Sequence, residues 1–316
     1  MKLKSLKIGN IVTKNNIFLA PLAGFSDFAM RSICLSYGAG LAFTEMVSCK
    51  GLLYNNENTN DLLYTTDDEK IKCAQIFGND PEVMRRAIEL PALDKFDVID
   101  VNFGCPMPKI FQNGEGSALL DKPQLAQKII SELKKSGKTI TAKMRIGITR
   151  GNYVTEDFVK ALEQGGVDMI TVHGRTRDMI YSGEPNYDEI YKAKRAVKVP
   201  VIANGGIFSV EDADKMTDNT GADGIMLARG ALERPWLFSE LCGKEVEVDK
   251  KSLIYRHIDL LNTHFDDSTT AVLFRKQICL YIKGEVGNVK LKDKIFKMKN
   301  TADIKTAVGE FFDGKR

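Results

Sequence analysis

Apolar, β-branched runs recur along this chain with amphipathic stretches between them, and that alternation organises the rest of the sequence. Eight short runs have the length and composition of buried strands: residues 17–20, 42–45, 73–77, 98–102, 139–144, 169–173, 201–204 and 224–228. Between them, residues 28–37, 81–90, 124–135, 156–164, 188–197 and 210–216 repeat apolar positions at helical spacing. Asp80-Pro81 and Thr155-Glu156 are helix-start signals, and Gly38, Gly137 and Gly165 stand where helices stop. Eight strands in alternation with helices predict an α/β fold, the (β/α)8 TIM barrel. A doubly wound sheet would need a GxGxxG turn after the first strand, where Ala20-Pro21-Leu22-Ala23-Gly24 stands instead. The connection over residues 45–72 is long and polar and predicts a loop over the barrel mouth. After Trp236 the strand signals cease, and residues 252–264, 271–283 and 304–312 predict helices. The expected organisation is a barrel domain over residues 1–243 and a small all-helical C-terminal domain over residues 244–316.

Composition narrows the class. The chain has 316 residues, 43% hydrophobic and 28% charged, as an ordinary globular protein has. No apolar run reaches the length of a membrane span, so no membrane partner is expected. The first ten residues alternate lysine with leucine and isoleucine and lack a signal peptide's apolar core, which predicts a cytoplasmic protein. Six cysteines without a CxxC pair, and only three histidines, argue against a metal centre or a disulfide framework. The net charge of +3 is uneven. Residues 244–316 hold 15 Lys/Arg against 11 Asp/Glu, and the remainder holds 30 against 31. Such a bias marks either a solvated helix face or a surface for a polyanion.

The strand ends carry the candidate chemistry. They are Pro21, Glu45, Gln75, Asn102 with Cys105, Lys143 with Arg145, His173 with Arg175, Asn204, and Ala228 with Arg229. Barrel enzymes assemble their sites from this face. Asn204-Gly205-Gly206 and Ala228-Arg229-Gly230 end the seventh and eighth strands, where barrels present backbone amides to phosphate. Lys143 and His173, if both point inward, form a cationic wall beside that phosphate; a lysine there suits the negative charge of a reduced flavin. In Asn102-Phe103-Gly104-Cys105-Pro106, a glycine able to take an unusual backbone angle and a proline push a thiol past the fourth strand. With an ordinary pKa the Cys105 thiol is protonated and can act as an acid. Nucleophilic attack is the alternative and needs a base, and no histidine is near in sequence.

These residues resemble one family, the flavin-dependent tRNA-dihydrouridine synthases, and within it the bacterial B-type branch. The resemblance rests on Ala20-Pro21-Leu22-Ala23-Gly24-Phe25-Ser26-Asp27, Thr44-Glu45-Met46, Gln75-Ile76-Phe77-Gly78 and Asn102-Phe103-Gly104-Cys105-Pro106 with Lys109. It continues through Gly114-Glu115-Gly116-Ser117, Lys143-Met144-Arg145, His173-Gly174-Arg175-Thr176-Arg177, Asn204-Gly205-Gly206, and Arg229-Gly230 with Pro235-Trp236. Any one motif is weak; the ordered series is specific. The resemblance implies FMN over the barrel mouth, its ring system lined by Pro21, Leu22, Ala23 and Gln75. Lys143 and His173 would stand beside the ring and ribityl chain, and Asn204, Gly205, Gly206, Ala228 and Arg229 would hold the phosphate. NADPH would reduce the flavin, whose hydride would reach C6 of a uridine in tRNA while Cys105 protonates C5. Asn102 would orient the uracil. Arg145, Arg175 and Arg177, with Arg275 and Lys276 in the helical tail, would contact RNA, together with the run Lys290, Lys292, Lys294, Lys297 and Lys299. A monomer without metal is implied. The chain departs from the family pattern at Gly206, often aspartate, at Ala228, often glycine, and at Glu233-Arg234. A flavin barrel oxidoreductase acting on a free pyrimidine or other small molecule is the competing reading; it would have no use for a basic tail.

Overall fold

The computed structural model describes residues 2–54 and 57–314. Met1, Lys315 and Arg316, which fall at the ends of the two expected domains, lie outside the described residues. Eight parallel strands close into a barrel: β1 (Ile17–Leu19), β2 (Leu41–Ser48), β3 (Cys73–Phe77), β4 (Val98–Phe103), β5 (Thr139–Arg145), β6 (Met169–His173), β7 (Val201–Asn204) and β8 (Gly224–Leu227). Each pairs with its successor, and β8 closes on β1. The register lays Asn102 beside Lys143, Arg145 beside His173, and His173 beside Asn204. Pairing geometry alone therefore brings the polar strand ends into one ring.

The helices form where local signals and an apolar stripe coincide. Asp80 caps Pro81–Ile88 by accepting from the amides of Glu82 and Val83, with proline in the first turn. Pro123–Lys134 buries Ala126, Ile129, Ile130 and Leu133, one face of a helix, against the sheet. A short N-terminal hairpin, Lys7–Ile8 paired with Ile11–Val12, underlies the barrel. Its Leu6 and Ile8 join Phe18, Leu41, Phe43, Cys73, Val98, Met169 and Ile202 in an apolar plug inside the strands. The lysine–leucine alternation noted in the sequence is thus half a barrel floor.

Residues 45–72 differ from the expected loop. β2 runs on to Ser48, with a register shift between Phe43 and Met46, and helices Cys49–Leu53 and Glu57–Leu62 follow. Cys49 and Leu52 are buried in the main core. These helices are too short for periodicity to reveal. Helix Asn288–Ile295 in the tail was hidden differently: three lysines crowd it, and only Leu291 and Ile295 are buried.

The tail helices Lys250–Asn262, Asp267–Tyr281, Asn288–Ile295 and Thr301–Asp313 share a core built around Ile254, Ile258, Phe274, Ile278, Ile304 and Val308. That core also takes in Phe28, Ala29 and Ile33 from the first barrel helix. Gln277 Nε2 donates to the Leu232 carbonyl at 2.8 Å, and Lys283 pairs with Glu233 at 2.7 Å. The charge at Glu233, unusual for the family pattern, thus has a partner on the tail. No described helix is long and apolar enough to cross a membrane.

Arg31 shows how the mouth loops are held. It is fully buried and bidentate with buried Glu69 at 2.8 and 2.9 Å, and it donates to the carbonyls of Ser26 and Tyr64. The pair ties the loop after β1 to the connection before β3. Arg31→Ala leaves Glu69 buried without its charge partner, so we expect a loss of about 3–5 kcal/mol in urea unfolding. A loss below about 1 kcal/mol would mean that water reaches Glu69.

Candidate active site

A cavity of about 350 Å³ opens at the carboxyl end of the strands, the size range of cofactor sites. Cys105 stands on one side of it. Asn102, the penultimate residue of β4, turns its Oδ1 back to accept from the Gly104 and Cys105 amides at 3.1 and 2.8 Å. The Cys105 carbonyl accepts from the Ser117 amide at 3.2 Å and hydroxyl at 2.7 Å. The thiol is therefore carried on a loop fastened at both ends. Cys105 is 7% exposed, and burial raises its pKa against the opposing pull of the Met107 amide and Arg145. A thiol so placed stays protonated at neutral pH and holds an acid's proton toward the cavity. Gly104, read from sequence as able to take an unusual backbone angle, does not have positive φ. It is needed for close approach, since a Cβ there would lie 3.3 Å from the Met144 carbonyl carbon of β5.

A cationic wall lines the same cavity. Lys143 forms no ion pair or hydrogen bond among the described residues, and its pKa is pushed down to about 8 by burial first and Arg145 second, with Asp100 opposing. His173 is held well below its usual range by burial, then by Lys143, Arg145, Arg175 and Arg229. Its Nε2 lies 3.3 Å from Arg175 Nη1. A guanidinium can only donate, so Nε2 accepts and the neutral ring keeps its proton on Nδ1.

Beyond the wall, Gly205 and Gly206 both have positive φ, +116° and +72°. A Cβ on Gly205 would sit 2.7 Å from the His173 ring, so only glycine lets this backbone pass. At Gly206 a Cβ would meet Pro185 at 3.2 Å, and nearby Arg175 is satisfied by the carbonyls of Ser182 and Gly183. Asn204 donates to the Met226 carbonyl at 2.7 Å, which leaves the two glycines and Arg229 as the groups facing outward. Arg229 lies 4.7 Å from the Tyr181 ring centroid and 5.7 Å from that of Phe208.

The structure thus brings Pro21, Leu22, Ala23, Gln75, Asn102, Cys105, Lys143, His173, Asn204, Gly205, Gly206, Ala228 and Arg229 to one cavity. Arg145 and Arg175, expected to meet RNA, border it from within. Both are buried and direct their donors to protein carbonyls: Arg145 to Gly104, Thr176 and Ile180, Arg175 to Ser182 and Gly183. Neither is on the outer surface: Arg145 pins the loops after β4 and β6 together, and Arg175 holds the turn of its own loop after β6. Arg177 is half-buried and stacks 3.7 Å from the Phe111 ring centroid. Arg275 donates to the Met298 carbonyl, inside the tail. Lys276 is exposed and sits over the Phe25 ring at the mouth. Lys294 pairs with Glu310, whereas Lys290, Lys292, Lys297 and Lys299 form no ion pair among the described residues. No described group of His, Cys, Asp and Glu is arranged to hold a metal ion. Sequence reading missed Asp100, Tyr181 and Phe208. Asp100 could have been found, since it lies two residues before Asn102 on one strand and so shares its inward face. The two aromatics, on irregular loops, carried no such signal.

The family model described as dihydrouridine synthase (Dus) matches residues 18–313. The tRNA-dihydrouridine synthase B of Pasteurella multocida (strain Pm70) is 37% identical over 289 residues, 88% of this chain and 87% of that protein. A probable tRNA-dihydrouridine synthase of Rickettsia prowazekii (strain Madrid E) is 34% identical over 318 residues, 97% of each. Among solved structures, histamine dehydrogenase from Rhizobium sp. 4-9 aligns with a TM-score of 0.60 at 16% identity, over 88% of this chain and 50% of that one. A variant of NCR from Zymomonas mobilis aligns with a TM-score of 0.56 at 15% identity, over 78% and 92%. At such identities the structural likeness concerns the barrel fold alone.

Lys143 gives a prediction that needs no ligand. Its folded pKa of about 8 lies below the ordinary 10.5, so below pH 8 the charged side chain destabilises the fold, and the penalty fades as pH rises through 10.5. Lys143→Met should therefore stabilise the ligand-free chain at pH 7 by roughly 2 kcal/mol, less than the full shift because the cavity admits water. Denaturant melts at pH 7 and pH 10 should show the gain shrinking. A gain that is absent at pH 7, or that does not change with pH, would place the ammonium in solvent.

Proposed function

This chain belongs to the dihydrouridine synthase family, and from that premise we propose that it reduces the C5=C6 bond of uridines in tRNA to 5,6-dihydrouridine with FMN and NADPH. Its relatives of the B type support the tRNA substrate. The observation that carries the chemistry is a thiol, Cys105, whose pKa burial raises, lining the same cavity as a lysine, Lys143, with no ion-pair partner among the described residues. An acid and a cation facing one space suit a reduction in which negative charge accumulates on one partner and a proton must reach the other.

The residues present fit FMN. A lysine without a protein partner suits the anionic end of a reduced isoalloxazine, and a double-glycine cradle that a Cβ would fill suits a phosphate. Pro21, Leu22, Ala23 and Gln75 would line the ring system, with Lys143 and His173 beside it. Gly205, Gly206 and Arg229 would hold the phosphate, with Asn204 and Ala228 framing them. When bound and reduced by NADPH, FMN supplies the hydride that C6 of the uracil receives. Cys105 Sγ gives the proton to C5, and its thiolate recovers one from solvent. Neutral His173 donates from Nδ1 without adding a further charge to the wall. Asn102 holds the Cys105 loop through its Oδ1; its Nδ2 donates to Gln75 Oε1 at 2.8 Å and to Met46 Sδ at 3.6 Å, and the sulfur contact is the one a substrate base would replace. A duplexed or stacked uridine cannot reach this depth, so the base must leave its stack, at a cost of a few kcal/mol.

Residues 244–316 would act as the tRNA-binding domain. Lys276 at the mouth, and Lys290, Lys292, Lys297 and Lys299, which form no ion pair among the described residues, suit phosphate contact.

Two outcomes test this reading. Cys105→Ala should keep bound FMN, seen in its visible spectrum, while dihydrouridine formation measured by mass spectrometry falls by about 100-fold or more. Turnover near that of the unaltered chain would defeat the proton-donor role. Changing Lys290, Lys292 and Lys297 together to alanine should weaken tRNA binding and flatten its log–log salt dependence by about one per lysine that contacts phosphate. An unchanged slope would move the RNA to another face.

A further inference from the structure

Beneath the mouth lies a carboxylate that the proposed reaction does not touch. Asp100 is 1% exposed, on the inward face of β4 two residues before Asn102. One of its oxygens accepts from Gln75 Nε2 at 2.7 Å, the other from Thr141 Oγ1 at 2.6 Å. Gln75 Oε1 in turn accepts from Asn102 Nδ2 at 2.8 Å. Asn102 Oδ1 accepts from the amides of Gly104 and Cys105.

The polarity of this chain is fixed from both ends. Backbone N–H groups can only donate, and an ionised carboxylate can only accept. The two carboxamides between them, each ambiguous alone, are left with one orientation: every donor points toward Asp100. Turning either amide over would set donor against donor and acceptor against acceptor in a buried site, which costs more than the bonds themselves contribute.

We propose that Asp100 is a positioning residue, the terminal acceptor that orients the Gln75 and Asn102 amides and thereby fixes the Cys105 loop and the donors shown to a bound ring. Its bearing on catalysis rests on the function proposed above; its hold on the loop does not. Thr141 is a bystander on this view, because its hydroxyl rotates and lies off the path to Cys105. Asp100→Asn keeps the chain, since its Oδ1 still accepts from Gln75 while its Nδ2 donates to Thr141 Oγ1. Asp100→Leu removes the acceptor at similar volume.

The test reads the loop directly, as the rate of Cys105 alkylation by iodoacetamide in the folded full-length chain, followed on the Cys105 peptide by mass spectrometry. Asp100→Leu should accelerate alkylation by about tenfold, while Asp100→Asn and Thr141→Val stay within about threefold of the unaltered chain. A native rate in Asp100→Leu, or an equal rise in Thr141→Val, would overturn the proposal. Should Asp100→Leu fail to fold, the side-chain amide resonance of Gln75 in ¹⁵N-glutamine-labelled protein decides. It should move in Asp100→Asn and hold in Thr141→Val; no movement in Asp100→Asn would overturn the proposal. Alkylation is read without cofactor or RNA, so its order across the variants stands or falls apart from whether the chain makes dihydrouridine.

Discussion

A closed parallel barrel turns alternate residues of every strand inward, and those side chains must be disposed of. Here the two ends of the barrel solve that problem in opposite ways. Toward the amino ends, Leu6 and Ile8 from the hairpin meet Phe18, Leu41, Phe43, Val98 and Met169 and fill the interior with apolar volume. Toward the carboxyl ends, the inward positions are Gln75, Asp100, Asn102, Thr141, Lys143, His173 and Asn204, which cannot be packed dry at low cost. Some satisfy one another, as Asp100 does with Gln75 and Thr141. Lys143 has no hydrogen-bond or ion-pair partner among the described residues and faces the cavity instead. The site is the part of the barrel interior that the fold leaves polar, and the buried charge of Lys143 is a destabilising feature of it.

The loops over this cavity are held by buried arginines more than by apolar packing. Arg145 reaches carbonyls of the β4 and β6 loops. Arg175 grips the turn at Ser182 and Gly183, and Arg31 with Glu69 fixes the β1 loop. A planar guanidinium can satisfy several carbonyls at once, which suits irregular backbone that has no sheet partner. Ile180, the one described non-glycine residue with positive φ, has its carbonyl held by Arg145 and is followed by Tyr181, which lies against Arg229. The strained residue and the aromatic rim are thus parts of one loop. The tail joins the same assembly through Lys276 above Phe25 and through a core shared with the first barrel helix.

Much of this was legible in the sequence. All eight strands stand where β-branched runs predicted them, with β3, β6 and β7 matching to the residue. The strand-end residues predicted to converge line one cavity, except Glu45, which lies inside β2 as that strand runs on to Ser48 and accepts from the Gly24 amide instead. What failed had physical causes. Helices Cys49–Leu53 and Glu57–Leu62 are shorter than the window in which a period can be seen. Gly104 was read for its backbone freedom when the contact with Met144 was what mattered. Arginine in a motif says that five donors are present but not what they face: Arg145 reaches the carbonyl of Thr176 on another strand's loop, Arg175 that of Gly183 on its own loop, and both still border the cavity.

The sequence by itself therefore determined the barrel, the ring of polar strand ends and the thiol after β4, since these follow from periodicity two and from local turn chemistry. The tertiary structure alone decided the state of each group in that ring. Whether Lys143 is partnered, which nitrogen of His173 keeps its proton, and which way Gln75 and Asn102 turn depend on neighbours brought in from other strands. Local patterning can place a side chain on a face, but a proton or an amide answers to whatever stands within about 3 Å of it.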